Sequence, residues 1–324
     1  MKPLVEITIK GKKITDNLMA RFDSLQLVDD TSNKADSLTI TLTDQKPAIT
    51  LPKQGENMTV RIGYQGANKY LRGEYTLDEI ELAGPPAQMV LIAKAADVRK
   101  SMKQKRDFSW KNVSLGDIVS TIAERYSLTP KTGADYASIQ FAQLTQDKES
   151  DLAFLQRLAK EYDALAQPKN GYLLFVKRGT GKSATGKTLG TLKLTPPDVT
   201  RWDVSVTDRK NYAAVTANWQ NLETGELVKE LVGEGEPVYV LPGTFPDADR
   251  ATAAAVAKYD ELLRGKGGLS LSMPGKPELA AEMILNLAGF RDGVDGEWVI
   301  KQVSHVIDRA GYRCNVRGER PGRK

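Results

Sequence analysis

Hydrophobic and polar residues alternate through most of the first hundred residues. The period of two is found in the segments 5–9, 38–43, 58–62 and 89–93, with turn-forming residues between them. Such a period is typical of half-buried strands, and several short strands in succession favour a small barrel or sandwich. Residues 1–100 are therefore predicted to form a β domain.

The pattern changes to helical spacing in the middle of the chain. Ser114 and Asp117 occupy the two positions of a capping box ahead of apolar residues at helical spacing, which predicts a helix beginning near Leu115. A second apolar stripe at helical spacing follows Ser150, and a short apolar run after it predicts a buried strand. Residues 101–188 are predicted to form a separate, mixed α/β module that ends in a Gly/Ser/Thr/Lys-rich loop.

Alternation returns in the last part of the chain, residues 189–324. It is clear at 201–206 and at 213–219. One helix is predicted to interrupt the strands, beginning after Asp247 and ending at Gly265.

A repeat relates the two strand-rich regions. The segments 58–64 and 73–80 correspond to the segments 283–290 and 296–303. In both copies the alternation slips phase once, between Leu77 and Ile80 and between Ile300 and Val303. This slip predicts a β-bulge at the same point of a shared fold.

The repeat also decides how an ambiguous segment is interpreted. Taken alone, residues 282–290 could be a helix, but the repeat favours a strand that leads into a hairpin at residues 292–296. The alternative is a chance similarity between two turns that contain Gly, Glu and an aromatic residue. If the repeat is real, the chain has two similar β domains.

Composition and charge restrict the possible chemistry. The 324 residues include 46 Lys and Arg, 41 Asp and Glu, one Cys and one His, with a formal net charge of +5. Cys314 can form neither an internal disulfide nor a thiolate metal site, which fits a reducing cytoplasm. His305 lies in a predicted strand and is interpreted as a strand-face histidine rather than a ligand or base. Neither an export signal nor a membrane span is predicted.

Carboxylate catalysis remains open because acidic residues cluster around the second predicted helix. They are Glu149, Asp151, Glu161 and Asp163. A glycosidase needs two carboxyl groups with separated pKa values, whereas solvated charges on an amphipathic helix explain the same pattern. We predict no catalytic, cofactor-binding or metal-binding residue.

Residues 181–188 satisfy the Walker A pattern G-x-x-x-x-G-K-[ST]. A phosphate-binding loop needs a helix that begins at its Lys and Thr, here Lys187 and Thr188. The residues that follow alternate and end in two prolines, so a mobile loop is the favoured interpretation. A nucleotide-dependent enzyme is a remaining alternative.

Two basic stretches could contact phosphates. They comprise Lys94, Arg99, Lys100, Lys103, Lys105 and Arg106, and Arg309, Arg313, Arg317, Arg320, Arg323 and Lys324. In the second stretch, Tyr312, Cys314 and Val316 alternate with polar residues, which predicts a strand with one buried side. Solvated faces are the favoured interpretation, and no specific nucleic acid binding is expected.

The segment 113–126 resembles the first strand, turn and helix of LysM domains, which bind peptidoglycan sugars. The same cap and amphipathic face would arise in any α/β unit. Peptidoglycan binding through this segment is the alternative function.

Two longer stretches point to a family. Residues 150–159 leading to 171–176, and residues 296–305 leading to 311–312, are similar to the late control protein D family of contractile-tailed phages. The resemblance spans most of the chain and extends to the N-terminal hub part of type VI secretion spike (VgrG) proteins. Its motifs are diffuse and contain no catalytic signature.

The resemblance implies a structural baseplate hub without enzymatic activity or cofactor. Family hubs carry two tail-tube-like β-barrels per chain and assemble as a homotrimer, whose six-unit ring connects the hexameric tail tube to the trimeric central spike. The expected partners are therefore the tail tube protein and the central spike protein, with the tape measure protein and other baseplate proteins as further candidates. The expected location is the virion tail, after synthesis and assembly in the bacterial host cytoplasm. Because the sequence ends at Lys324, no fused spike or lysozyme domain is expected.

The predicted fold class is thus α+β and mainly β. Residues 1–100 and 189–324 are expected to be two similar tail-tube-like β-barrels, the second with one helix. Residues 101–188 are expected to be a small mixed α/β, LysM-like module between them.

Overall fold

The computed structural model describes residues 2–9, 12–13, 20–31, 36–66, 71–95, 102–169, 171–179, 181, 189–206, 212–265 and 267–322. Most of these residues lie in strands, so the chain is mainly β. The strands are β1 Pro3–Ile9, β2 Lys12–Lys13, β3 Phe22–Asp30, β4 Ser37–Thr43, β5 Asn57–Tyr64, β6 Leu71–Ala83, β7 Gln88–Ala95, β8 Lys105–Ser114, β9 Thr129–Thr132, β10 Gln140–Ser150, β11 Ala164–Lys169, β12 Tyr172–Lys177, β13 Thr191–Leu194, β14 Arg201–Val206, β15 Ala214–Gln220, β16 Leu227–Gly233, β17 Val238–Phe245, β18 Gly267–Pro274, β19 Ile284–Leu287, β20 Gly296–Asp308 and β21 Gly311–Glu319. The helices are α1 Leu115–Arg125, α2 Ala134–Ala137, α3 Asp151–Glu161 and α4 Ala248–Arg264, and a 3-10 turn covers Pro196–Asp198.

Strands from both ends of the chain form one 13-stranded sheet. Its order is β14-β18-β21-β20-β3-β4-β7-β6-β5-β1-β2, and β19 pairs with both β20 and β13. The alternating side chains of these strands build one apolar core that includes residues from both halves. A period of two places successive side chains on opposite faces, so one face of each strand supplies this core.

The strand order repeats within the sheet. The order β3-β4-β7-β6-β5-β1 is matched position by position by β14-β18-β21-β20-β19-β13. We name these sets the first and second units. They differ at the last position, because β1 runs antiparallel to β5 whereas β13 runs parallel to β19.

The predicted bulges are confirmed. The pairing of β6 with β7 shifts register between Leu77 and Glu79, and the pairing of β20 with β21 shifts between Ile300 and Gln302. The strand predicted from the repeat is also confirmed, since β19 leads through a short connection into antiparallel β20. The sequence repeat aligns Gly73 with Gly296 and Val60 with Leu285. In the structure Gly73 faces Val60, whereas Gly296 faces Leu287, so the two hairpins differ in register by two residues.

The middle of the chain combines a two-stranded sheet, β8 with β10, and a three-stranded sheet, β11-β12-β9, with helices α1 and α3. Both helices begin where the sequence predicts. Ser114 and Asp117 form the capping box of α1, and Ser150 accepts a hydrogen bond from the backbone N–H of Ala153 at the start of α3. The apolar faces of both helices contribute to a second core.

Residues 214–264 add a third small element to the fold. Strands β16-β15-β17 form a sheet of their own, and helix α4 packs against one face of it. The helix confirms the prediction, with Asp247 as its N-cap and Gly265 at its C-cap. Sequence alternation identified β15 as a strand but did not indicate that it leaves the main sheet.

Candidate functional site

His305 is fully buried in β20 and forms part of a polar cluster inside the core. Its Nδ1 atom lies 2.7 Å from the Tyr312 hydroxyl and 3.4 Å from Cys314 Sγ, while Nε2 lies 3.2 Å from the carbonyl oxygen of Leu279. Burial lowers the pKa of His305 to about 4 and raises the pKa of Cys314 to about 11. The imidazole and the thiol are both neutral near pH 7, and both find hydrogen-bond partners inside the core.

The acidic cluster does not consist only of solvated charges, and that prediction is wrong for Asp151. This carboxylate is fully buried and lies 3.1 Å from Arg125, 3.3 Å from Arg106, 2.7 Å from the Tyr126 hydroxyl and 2.9 Å from Gln146 Nε2. Two guanidinium groups thus contact this buried carboxylate and hold it in place. Asp151 thus joins β8, α1, β10 and α3.

The other three acidic residues also pair with arginines. Glu149 contacts Arg157 at 2.9 Å, Glu161 contacts Arg250 at 2.7 Å, and Asp163 contacts Arg264. A glycosidase would need two carboxyl groups facing a shared substrate position. The arrangement resembles a set of structural ion pairs.

Most of the Walker-like segment 181–188 lies outside the described residues, which include only Gly181. The chain that follows it is strand β13, where a phosphate-binding loop would need a helix. In the described part of the chain, no group of three or more His, Cys, Asp and Glu residues is placed to hold a metal ion. No helix among the described residues is long and apolar enough to cross a membrane.

Basic side chains in both predicted stretches have partners within the chain. Arg106 pairs with Asp151, Arg313 pairs with Asp308, and the Arg320 guanidinium lies 3.9 Å from the ring centroid of Trp298. Strand β21 buries one side, as predicted. Four basic residues of these stretches, Arg99, Lys100, Arg323 and Lys324, lie outside the described residues.

Glu282 has a perturbed pKa and links the end of β12 to the second unit. Its Oε2 atom accepts a hydrogen bond from the backbone N–H of Gly179. Burial raises its pKa from 4.5 to about 7, against the opposing effects of that hydrogen bond and of Arg178. A raised pKa can mark a catalytic acid, but here the carboxyl joins two segments of the fold.

This raised pKa predicts a pH dependence. Between pH 4.5 and 7 the unfolded chain loses the Glu282 proton before the folded chain does, so the free energy of unfolding falls as pH rises. Glu282→Gln remains neutral, and we expect it to be more stable than the unmodified chain by about 3 kcal/mol at pH 8 but not at pH 4. Chemical denaturation at both pH values measures this. An equal difference at both pH values would contradict the assignment.

The two units meet where β3 pairs with the second half of β20. His305 faces Leu27 and Ser304 faces Val28 in this antiparallel ladder. Two side-chain hydrogen bonds also join these strands. Gln302 Nε2 donates to Asp30 at 2.8 Å, and Gln26 Nε2 donates to Ser304 at 3.0 Å. We call this ladder the internal junction.

Strand β3 also connects the internal junction to the middle module. Asp29 accepts a hydrogen bond from Lys169 Nζ at 2.6 Å and another from the backbone N–H of Ala281 at 3.0 Å. Lys169 also lies 3.2 Å from Asp36. The ion pairs raise the pKa of Lys169 despite its burial, so the amine is charged. The relative placement of the two units is therefore fixed from several sides.

Two strand edges are left open at positions equivalent to the internal junction. Beyond Thr76, no described strand pairs with the edge of β6 that faces away from β7, and β14 pairs with β18 alone among the described strands. Each edge exposes a large apolar side chain: Leu82 is 60% exposed and Trp202 is 39% exposed. Neither residue is recognisable from the sequence as part of a site, although the repeat aligns Leu82 with His305.

The comparisons with known proteins place this fold in a family. The family model "Phage tail baseplate hub (GPD)" matches residues 33–311. A "Probable baseplate hub protein" of Escherichia phage 186 is 30% identical over 98% of this chain and 92% of its own length.

Solved structures show the same fold at low identity. The 43 kDa tail protein of prophage MuSo2 from Shewanella oneidensis aligns with a TM-score of 0.76 at 15% identity, over 99% of each chain. A component of the type VI secretion system of E. coli aligns with a TM-score of 0.56 at 12% identity, over 98% of this chain and 77% of its own. The resemblance found in the sequence is therefore confirmed, and the chain belongs to the phage tail baseplate hub family.

Proposed function

We propose that three copies of this chain form a closed ring that connects a hexameric tail tube to a trimeric central spike in the baseplate of a contractile tail. In this proposal residues 1–100 and 189–324 act as two tube-like barrels, with 101–188 as a LysM-like module between them. Two similar units in each of three copies give six similar positions. A trimer with one unit per chain would supply only three.

The observation that supports this proposal is the repeated strand order, with its equivalent bulges, inside one sheet. The internal junction already joins two units side by side through strand pairing. A chain of such units has an open strand edge at each end, and exposed edges favour pairing with another chain. Closure by threefold symmetry would pair both edges.

The proposed role is architectural. The contacts expected of the ring are the tail tube protein on one side and the central spike protein on the other, with the tape measure protein and other baseplate proteins as neighbours. The ring would act in the virion tail, after synthesis and assembly in the bacterial host cytoplasm. The match to a baseplate hub family, described as a structural part of the tail, supports a role without enzymatic chemistry.

The mass of the assembled species tests the proposal. We expect native mass spectrometry to detect three copies of the chain, alone or together with the tube and spike proteins. Electron microscopy of purified particles should show a ring at the junction of tube and spike. A chain that remains monomeric both alone and in the presence of both partners would contradict the proposal.

A further inference from the structure

We propose that neighbouring copies in the ring are joined by antiparallel pairing between residues 80–83 of β6 in one copy and residues 203–206 of β14 in the next. This inference rests on the proposed trimer and specifies the surfaces that form it. It follows from the internal junction, which shows how one unit pairs with another.

The ladders across each unit show which residues of the two units are equivalent. In the first unit, Ile80 faces Leu91, which faces Ile40, which faces Leu25. In the second unit, the corresponding path is Val303, Val316, Leu271 and Trp202. Ile80 and Val303 occupy the same place after the equivalent bulges. Trp202 therefore corresponds to Leu25, and two residues further along, Val204 corresponds to Leu27 and Leu82 to His305.

The register of the internal junction determines which residues of the two open edges would face each other. Within the chain, His305 faces Leu27 and Ser304 faces Val28. The same register between copies places Leu82 opposite Val204 and Glu81 opposite Ser205. The strands run antiparallel in both cases, so the open backbone groups of the two edges can form ladder hydrogen bonds.

Burial supports this assignment. Leu25 and His305 are both fully buried at the internal junction. Their counterparts are the exposed Trp202 and Leu82, at 39% and 60% exposure. Each counterpart thus exposes apolar surface where the equivalent residue is covered by a neighbouring unit. Pairing with a second copy would cover both side chains, a favourable change for large apolar groups.

One pair of charges opposes the pairing. On the face away from the core, Glu81 would lie diagonally across from Asp203. Diagonal neighbours in an antiparallel pair are about 7–8 Å apart. At this separation, with solvent access, the repulsion between like charges is weak.

A cysteine pair tests both the partner and the register. Glu81→Cys and Ser205→Cys in the same chain would place directly opposed thiols across each junction, within the separation that a disulfide requires. After mild oxidation, we expect a covalent trimer on a non-reducing denaturing gel. The control pair Ala83→Cys with Ser205→Cys is displaced by two residues and should link about tenfold less. Each single-cysteine variant controls for reaction with the native Cys314, which is buried.

The outcomes separate this inference from the proposed function. A trimer by native mass spectrometry that yields covalent trimers with the opposed pair supports both. A trimer that yields no covalent product, or links better through the control pair, overturns the strand pairing and leaves the hub proposal intact. A monomer, both alone and with the tube and spike proteins, overturns both.

Discussion

Leu82→Lys is expected to prevent ring closure while leaving the chain folded. The Leu82 side chain is 60% exposed in the single chain and would be covered at the proposed junction. Covering it contributes about 1–2 kcal/mol per junction, and the lysine charge adds a desolvation cost at the same place. Over three junctions the loss amounts to about 3–6 kcal/mol, or roughly a hundredfold to ten-thousandfold in the assembly constant. Sedimentation or native mass spectrometry at several concentrations measures this constant.

Leu222→Lys is the matched control. Leu222 is 87% exposed and lies in the turn between β15 and β16, which belong to a different sheet from the two open edges. The Leu222→Lys substitution introduces the same charge at an exposed leucine outside the proposed junction. We therefore expect the assembly constant to be unchanged. Both variants should retain the unfolding free energy of the single chain within about 0.5 kcal/mol. If the assembly constant fell equally in the two variants, the added charge would explain the loss, and the assigned junction would be refuted.

The local parts of this fold could be predicted from the sequence. A period of two sets which side chains face the core, so the strands were visible without tertiary information. Caps are equally local: Ser114 and Asp117 satisfy each other's hydrogen bonds within four residues. The repeat added the one long-range prediction, because a bulge at equivalent positions leaves a phase slip in both copies.

Pairing between the units could not be predicted in this way. Strand β3 and the second half of β20 lie more than 270 residues apart, and alternation does not indicate which edge meets which. The alternation around Trp202 predicts a strand whether the edge of that strand is paired or open. The open edges became visible only when the ladders could be followed from Leu25 to Trp202.

The burial of Asp151 could not be predicted from the sequence for a different reason. An acidic residue in the first turn of a helix is favoured by the helix dipole alone, so its presence after Ser150 needs no further explanation. Its burial depends on Arg106 and Arg125, which come from β8 and α1. The sequence shows three charges at long separations and does not show that they converge.

The family assignment rests on sequence, but the two open edges are properties of the folded chain. Their apolar residues are not needed for the core of a single copy. A protein that acted alone would gain from polar residues at Leu82 and Trp202, because open strand edges favour aggregation. Retaining apolar residues at both edges is consistent with a partner that covers them.

Trp298→Ala is expected to destabilise the single chain by about 3–5 kcal/mol, because it removes a large, fully buried side chain. Trp298 faces Leu285 across the β19–β20 hairpin. Its Nε1 atom donates to the carbonyl oxygen of Val294 at 2.8 Å, and the ring is covered by Arg320. Chemical denaturation followed by circular dichroism measures the change. The loss should appear in the isolated chain, whether or not it can assemble.

Trp202→Ala provides the comparison, since it removes the same side chain from the open edge of β14. Trp202 contacts Phe290 edge to face but remains 39% exposed, so the cost to the single chain should stay near 1 kcal/mol. Assembly, in contrast, should weaken about tenfold or more per junction, because the apolar surface to be covered is lost. Trp298 is thus expected to stabilise the single chain, and Trp202 the assembled ring. A Trp202 variant that unfolds as readily as the Trp298 variant, yet still forms complete rings when folded, would reverse these two roles.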